Sequence, residues 1–290
     1  MTALQPHHLL FLNTILLGGT PQAKIAAARA AGFDQIELWR QDLDAFARGP
    51  TAMASALREN DVGLTDYQVL LDFDGAPDAR RAEKRHEALT MLDTAAALGA
   101  DTVLAPASTD RACMGARVVD DLGWLATQAR QRGLRVAYEA MAWSTVNPTL
   151  PMAWQCVQQV GADNLGVVVD AFHIFVRGRD AADLAGIPMD RIFLVQLSDL
   201  AHGVELAHVI QTARHSRLLP GAGHFPLPAL LARLLSSGYQ GPIGLEVFND
   251  TLKAQPPEGV AHQAMTALNH TLSAARELLS ERPDESLNTR

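Results

Sequence analysis

The feature that most constrains the fold is a pattern that recurs eight times along the chain. Each copy has a helical stretch, a stop at Gly or at Asn-Asp, a short strand-like run and a polar residue where that run ends. Eight alternations of strand and helix favour a closed (β/α)8 barrel of the TIM type, an α/β fold in a single domain. The predicted strands are Leu9–Asn13, Gln35–Leu38, Gly63–Gln68, Thr102–Leu104, Arg135–Glu139, Gly166–Asp170, Phe193–Leu197 and Ile243–Val247.

The apolar runs are typical of parallel strands that are covered on both faces. Val167, Val168 and Val169, for example, are apolar on consecutive positions. A doubly wound sheet is the competing fold, but it normally carries a Gly-rich phosphate loop after its first strand, where this chain has only Gly18-Gly19. We expect the barrel to occupy residues 1–280, with a last helix over residues 261–279 and a polar, disordered tail over residues 281–290.

Composition and charge argue against several classes of protein. The net charge is −8 and the basic residues are scattered, so no footprint for a nucleic-acid backbone is present. The two cysteines, Cys113 and Cys156, form no CxxC pair on which a thiolate zinc site could be built. The first apolar stretch is interrupted by Asn13 and Thr14 and lacks a basic flank, which argues against a secretion signal and a membrane span. A cytoplasmic location is therefore expected.

Four strand ends carry residues with oxygen ligands, namely Glu139, Asp170, Gln196 and Glu246. Catalytic residues of such barrels project from the carboxyl ends of the strands, so these side chains should converge. Three buried carboxylates at one barrel mouth would repel each other unless a cation neutralised them. The alternative is that each acid caps a helix or pairs with an Arg. Oxygen ligands without thiolates favour Mg²⁺ or Mn²⁺, while Co²⁺ and Zn²⁺ stay open.

Five segments of the chain, YEAMAW, VVDAFHIF, FLVQLSD, RHSRLLPGAG and GLEVFND, resemble the xylose-isomerase-like barrel superfamily of sugar isomerases, epimerases and dehydratases. Together they are most similar to bacterial 3-dehydroshikimate dehydratases, and the resemblance covers nearly the whole chain. In that superfamily the third metal ligand is often His, where this chain has Gln196. The resemblance implies that these four oxygen ligands bind the metal, with Glu139 in the catalytic centre and His173 as the acid/base beside the ion.

The roles of His173 and Arg217 can also be inferred from their residue types and their positions in the sequence. His173 lies three residues after Asp170, where a loop could bring its ring over the metal, and an imidazole suits proton transfer near neutral pH. The alternative is a ring packed under the loop. Arg217 falls where the dehydratases have a substrate-contacting Arg, and a guanidinium fork matches a carboxylate, although a surface Arg is the competing reading.

Further residues are candidates for substrate contact. Glu37 and Gln68 end the second and third strands, and Trp143 follows the fifth, so each is expected at the pocket mouth or as a cap or core residue. Asn249 matches the dehydratase pattern in VFND, although Asn is also common in loops.

Two positions depart from the dehydratase pattern. Leu71 stands where the dehydratases have an Arg before DFEG, and Ala213 replaces a Ser beside the RH pair. Loss of an Arg from a carboxylate site costs on the order of 2 to 5 kcal/mol if the pocket is otherwise unchanged. These departures favour a pocket that holds a carboxylate less well than the dehydratases do.

The function expected from this resemblance is a metal-dependent lyase that dehydrates a cyclic polyhydroxy ketone. The leading candidate reaction converts 3-dehydroshikimate to protocatechuate, through an enolate that the metal stabilises. A sugar or sugar phosphate isomerase or epimerase acting through the same kind of enolate is the alternative. A nuclease for abasic DNA would need several metals and a basic groove, and a non-catalytic metal-binding regulator is the remaining class. The expected partner is a small-molecule substrate, with neither nucleic acid nor membrane, and assembly into a homo-oligomer stays open.

Overall fold

The computed structural model describes residues 8–281 and shows a closed barrel of eight parallel strands. The strands follow one another in chain order, and the first pairs with the last, Leu10 lying beside Ile243. This closure confirms the predicted barrel and excludes the doubly wound sheet. The strands are β1 Leu10–Asn13, β2 Gln35–Trp39, β3 Gly63–Gln68, β4 Thr102–Pro106, β5 Arg135–Glu139, β6 Leu165–Asp170, β7 Ile192–Leu197 and β8 Ile243–Leu245.

Helices connect the strands and surround the barrel. Several end at a glycine in the left-handed conformation, as at Gly32 and Gly99, where φ is 95° and 77°. No helix within residues 8–281 combines the length and the apolar content needed to cross a bilayer. The helices are α1 Pro21–Ala31, α2 Arg40–Ala45, α3 Gly49–Glu59, α4 Asp78–Leu98, α5 Val118–Arg130, α6 Leu150–Val160, α7 Ala171–Phe175, α8 Val209–His215, α9 Leu227–Ser236, α10 Asp250–Lys253 and α11 Pro257–Ser280.

The predicted boundaries differ from the observed ones in a few places. The expected final helix falls within α11, which packs against α1 and α9 and begins four residues earlier. The last strand ends at Leu245, so that Glu246 follows β8 instead of lying within it. The Glu246 N–H nevertheless still donates to the Leu197 carbonyl of β7, at 3.2 Å, which keeps this residue at the barrel rim. The predicted disordered tail lies outside the described residues, apart from Glu281.

The barrel interior is filled by a small apolar cluster. Its members include Ala137, Val168 and Leu194, which precede Glu139, Asp170 and Gln196 by two positions each. Alternate residues of a strand share one face, so these polar side chains project into the same interior, one layer nearer the carboxyl ends. The other members of the cluster are Phe11, Leu104 and Phe193.

Gly244 makes room for this apolar layer. A Cβ atom at Gly244 would lie 2.2 Å from the Phe11 carbonyl oxygen and 2.4 Å from the Phe11 ring. We therefore expect Gly244→Ala to lower the free energy of unfolding by roughly 1 to 3 kcal/mol, the usual cost of overpacking a core. Urea unfolding followed by circular dichroism measures this change.

Gly259→Ala in α11 provides the matched control, because a Cβ atom there meets no heavy atom within 4 Å. We expect this variant to be as stable as the wild type or slightly more stable. Equal stability of the two variants would contradict the packing described for Gly244.

Candidate metal centre

The four predicted ligands lie at the carboxyl end of the barrel. Asp170 and Gln196 are neighbours in the register of β6 and β7, and all four side chains are buried. Ligand atoms of Glu139, Asp170 and His173 lie within 4.8 Å of one another, which makes this trio a candidate cation site. The structure thus brings the carboxyl end of β5 and that of β6 together as predicted, and His173 lies beside them, where the sequence also placed it.

Arg217 links the other acidic ligand to this group. Its Nη1 atom donates to Asp170 Oδ2 at 3.1 Å and to Glu246 Oε2 at 3.2 Å, and the side chain is only 3% exposed. The guanidinium lies against the rings of Phe172 and Phe248, 4.4 and 5.0 Å from their centres. Arg217 is therefore a buried counter-ion of two predicted ligands, and the reading of it as a surface residue is wrong.

The loops around Arg217 explain how a residue outside the strands reaches the centre. Leu218 forms an antiparallel bridge with Asp199, and Ser216 forms one with Asn249. Between them, the Arg217 N–H donates to the Phe248 carbonyl at 2.9 Å. These backbone contacts attach the segment after α8 to the residues that follow β7 and β8.

The remaining carboxylate oxygens of Asp170 and Glu246 are held by neutral donors. Asp170 Oδ1 accepts from the Phe172 N–H at 2.7 Å, at the start of α7. Glu246 Oε1 accepts from Asn13 Nδ2 at 3.1 Å. Such outer contacts fix the direction of a ligating carboxylate and are typical of metal centres.

Two buried oxygen atoms test whether the centre suits a divalent ion. Glu139 Oε1 and Gln196 Oε1 are buried and have no hydrogen-bond partner within the described residues. Burial raises the pKa of Glu139 well above its usual value, and it raises the pKa of Glu246 to about 7. Oxygen atoms without partners among crowded carboxylates are what a hard divalent cation requires, so the residues fit such an ion.

The His173 ring is held in one orientation. The Ala142 N–H donates to Nδ1 at 3.1 Å, so the proton of the neutral ring lies on Nε2. Nε2 faces Glu139 Oε1 and Asp170 Oδ2 at 3.7 and 3.6 Å, and burial lowers the pKa of the ring to about 4. In this arrangement the Nε2–H faces the two carboxylates beyond hydrogen-bond distance and is available to a substrate oxygen, and the acid/base role of His173 stays a prediction.

The sequence alone did not place two buried acids, Glu37 and Asp66, beside the predicted metal ligands. Asn13, Glu37 and Asp66 are neighbours in register across β1, β2 and β3, and both acids are fully buried. Burial raises the pKa of Glu37 well above its usual value and that of Asp66 to about 8. Glu37 had been expected at the pocket mouth or as a cap or core residue, and it is a buried core residue that does not line the pocket. Asp66 and Gln68 are two positions apart in β3, so their side chains project from the same face of the strand. This spacing is the sequence feature that could have identified Asp66.

A cavity of about 350 Å³ opens onto the centre. Gln68 and Trp143 line it as predicted, and the Trp143 ring meets the His173 ring edge-on at 5.0 Å. Leu71 is half exposed at its wall. Asn249 is not among the lining residues, because its amide caps α10 and donates to the Arg217 carbonyl. The cavity is of the size that small ligands occupy.

The chain resembles proteins with assigned activities. It is 34% identical over 259 residues to a 3-dehydroshikimate dehydratase of Pseudomonas putida, a match that covers 89% of this chain and 40% of that protein. The chain thus spans about two fifths of the length of that relative. An inosose isomerase of Halalkalibacterium halodurans is 29% identical over 227 residues, covering 75% of this chain and 79% of that protein.

A solved structure and a family model both identify the fold as a xylose isomerase-like TIM barrel. A solved xylose isomerase-like TIM barrel/4-hydroxyphenylpyruvate dioxygenase fusion protein superimposes with a TM-score of 0.90 at 32% identity, over 94% of this chain and 44% of that chain. The model of the xylose isomerase-like TIM barrel family matches residues 25–270, which include all four predicted ligands. The chain therefore belongs to the xylose isomerase-like TIM barrel family, whose relatives named above are enzymes.

Proposed function

We propose that this chain is a metal-dependent lyase that dehydrates a cyclic polyhydroxy ketone, with 3-dehydroshikimate as the leading substrate. The observation that carries the proposal is the close trio of Glu139, Asp170 and His173, joined to Glu246 through Arg217 beside one pocket, in a chain 34% identical to a dehydratase of that substrate. The ligands would be these four side chains, and their oxygen atoms favour Mg²⁺ or Mn²⁺.

The residues around the pocket supply the remaining parts of the reaction. A bound divalent ion would stabilise the negative charge that develops on the ketone oxygen. Glu139 lines the pocket, so the carboxylate oxygen that does not bind the ion would remove the proton beside the ketone. The same carboxyl then returns that proton to the departing hydroxyl, which leaves as water. His173 donates its Nε2 hydrogen bond to a substrate oxygen, and enolisation of the remaining ketone gives the aromatic catechol.

A sugar or inosose isomerase is the second candidate, because the inosose isomerase relative matches most of both chains. It would use the same proton removal but return the proton to carbon instead of expelling water. A screen of 3-dehydroshikimate, inososes and ketoses with added metal separates the two. Absorbance of an aromatic product supports the lyase, whereas interconversion of inososes or ketoses without that product would overturn it.

Glu246→Gln tests the metal centre. This near-isosteric change removes one ligand charge without opening a cavity, and we expect the fold to persist while turnover is lost. Metal binding should weaken by about 100-fold or more, since loss of an outer contact alone typically costs about 10- to 100-fold. Calorimetric titration with Mn²⁺ measures the affinity, and circular dichroism confirms the fold. The exposed Glu258→Gln in α11 is the control. Unchanged affinity and rate in Glu246→Gln would exclude Glu246 as a ligand.

Residues of the pocket wall should determine how well the pocket binds the carboxylate of 3-dehydroshikimate. Leu71 and Ala213 line the pocket where the dehydratase pattern has Arg and Ser. Leu71→Arg with Ala213→Ser should raise kcat/KM for 3-dehydroshikimate by about 10-fold, through a charge-assisted contact to its carboxylate. Leu71→Met, which changes shape without charge, is the control and should leave kcat/KM near the wild-type value.

Efficient turnover by the wild type, with no gain in the double variant, would contradict this reading of the two positions. It would mean that another cation already binds the carboxylate. The exposed Arg214 lines the same pocket and is then the residue to replace.

A further inference from the structure

A buried hydrogen bond crosses the barrel interior behind the metal centre. Gln196 Nε2 donates to Glu37 Oε1 at 2.8 Å, and both side chains are fully buried. Glu37 belongs to β2 and Gln196 to β7, strands that are not neighbours in the barrel. The contact therefore depends on the closed barrel, which brings the two strands to face each other across its interior.

This hydrogen bond determines which end of the Gln196 amide is free. A carboxamide has a donor nitrogen and an acceptor oxygen, and only the oxygen can bind a cation. Because Nε2 is engaged by Glu37, the opposite atom, Oε1, is left buried and without a partner within residues 8–281. The reversed amide would place its oxygen against Glu37 Oε1, and the hydrogen bond from Nε2 to that acceptor would be lost.

Glu37 itself is held in place by its neighbours in the sheet. It lies in register with Asn13 on one side and with Asp66 on the other. An irregularity between Ile36 and Glu37 shifts the register of β2 against β3, so that Glu37 and Asp66 lie side by side. Of these two buried acids, only Glu37 contacts a predicted ligand by a hydrogen bond within the described residues.

We propose that Glu37 is a positioning residue that orients the Gln196 carboxamide with its oxygen toward the divalent ion. The proposal rests on the proposed metal centre and deepens it, because it explains how a glutamine serves as the third ligand. Glu37 touches neither metal nor substrate in this account, and it acts only through Gln196.

The test measures Mn²⁺ affinity by calorimetry in a set of variants. Glu37→Leu removes the acceptor and should weaken binding by about 10- to 100-fold, the usual effect of an outer contact. Glu37→Gln keeps a carbonyl acceptor for Gln196 Nε2 and should restore affinity to within a few-fold of the wild type. Asp74→Asn removes a buried carboxyl group that accepts hydrogen bonds from Tyr138 and Ser108 and from neither Gln196 nor Glu37, and it should bind Mn²⁺ as the wild type does.

A double variant shows whether Glu37 acts through the amide. In a Gln196→Ala background, Glu37→Leu should cause no further loss of affinity, because the group that it orients is absent. An equal loss in Glu37→Gln or Asp74→Asn would overturn the proposal in favour of a general effect of negative charge. A further loss in the Gln196→Ala background, or none in the wild-type background, would overturn it as well.

Two further measurements distinguish a specific loss of Mn²⁺ affinity from misfolding and from failure of the metal centre itself. Urea unfolding in the presence of a chelator shows whether each variant folds, so that a change in affinity is compared only among folded proteins. Failure of the wild type itself to bind Mn²⁺ would reject the metal centre and this inference with it. Binding by the wild type that Glu37→Leu leaves unchanged would reject the inference alone.

Discussion

The structure depends on how five buried carboxyl groups are accommodated at the carboxyl end of one barrel. They are Glu37, Asp66, Glu139, Asp170 and Glu246, and the buried guanidinium of Arg217 lies among them. Isolated charges of this kind are costly to bury, and one positive charge offsets only part of the cost. Burial raises the pKa of Asp66 to about 8, so protonation relieves some of the rest. The proposed divalent ion would supply further compensation.

This constraint also accounts for the arrangement of the surrounding elements. An apolar layer that includes Phe11 and Phe193 fills the interior on one side of the carboxyl groups, and the pocket opens on the other. Two backbone bridges hold the segment that carries Arg217 against the strand ends. The His173 ring is fixed by the Ala142 N–H, so its proton points toward the carboxylates. The charged groups are thus oriented before a substrate arrives, as electrostatic stabilisation of a developing charge requires.

The sequence predicted the barrel and the rim positions because both depend on periodicity. Strand ends recur at regular intervals, and the polar residue that closes an apolar run marks the carboxyl end, as at Glu139 and Asp170. The burial of Arg217 could not be predicted, because it depends on the path of loops that have no period. The direction of the His173 proton was equally inaccessible, since it depends on one backbone N–H of another loop. The contact between Glu37 and Gln196 arises only when the barrel closes.

Crystals grown with Mn²⁺ and measured at the manganese absorption edge test the central claim most directly. The account predicts a single strong anomalous peak at the barrel mouth. Side-chain oxygens of Glu139, Asp170, Gln196 and Glu246 should lie about 2.0 to 2.4 Å from that peak. A map at saturating Mn²⁺ with no peak there, and with Arg217 still the only cation between Asp170 and Glu246, would contradict the account.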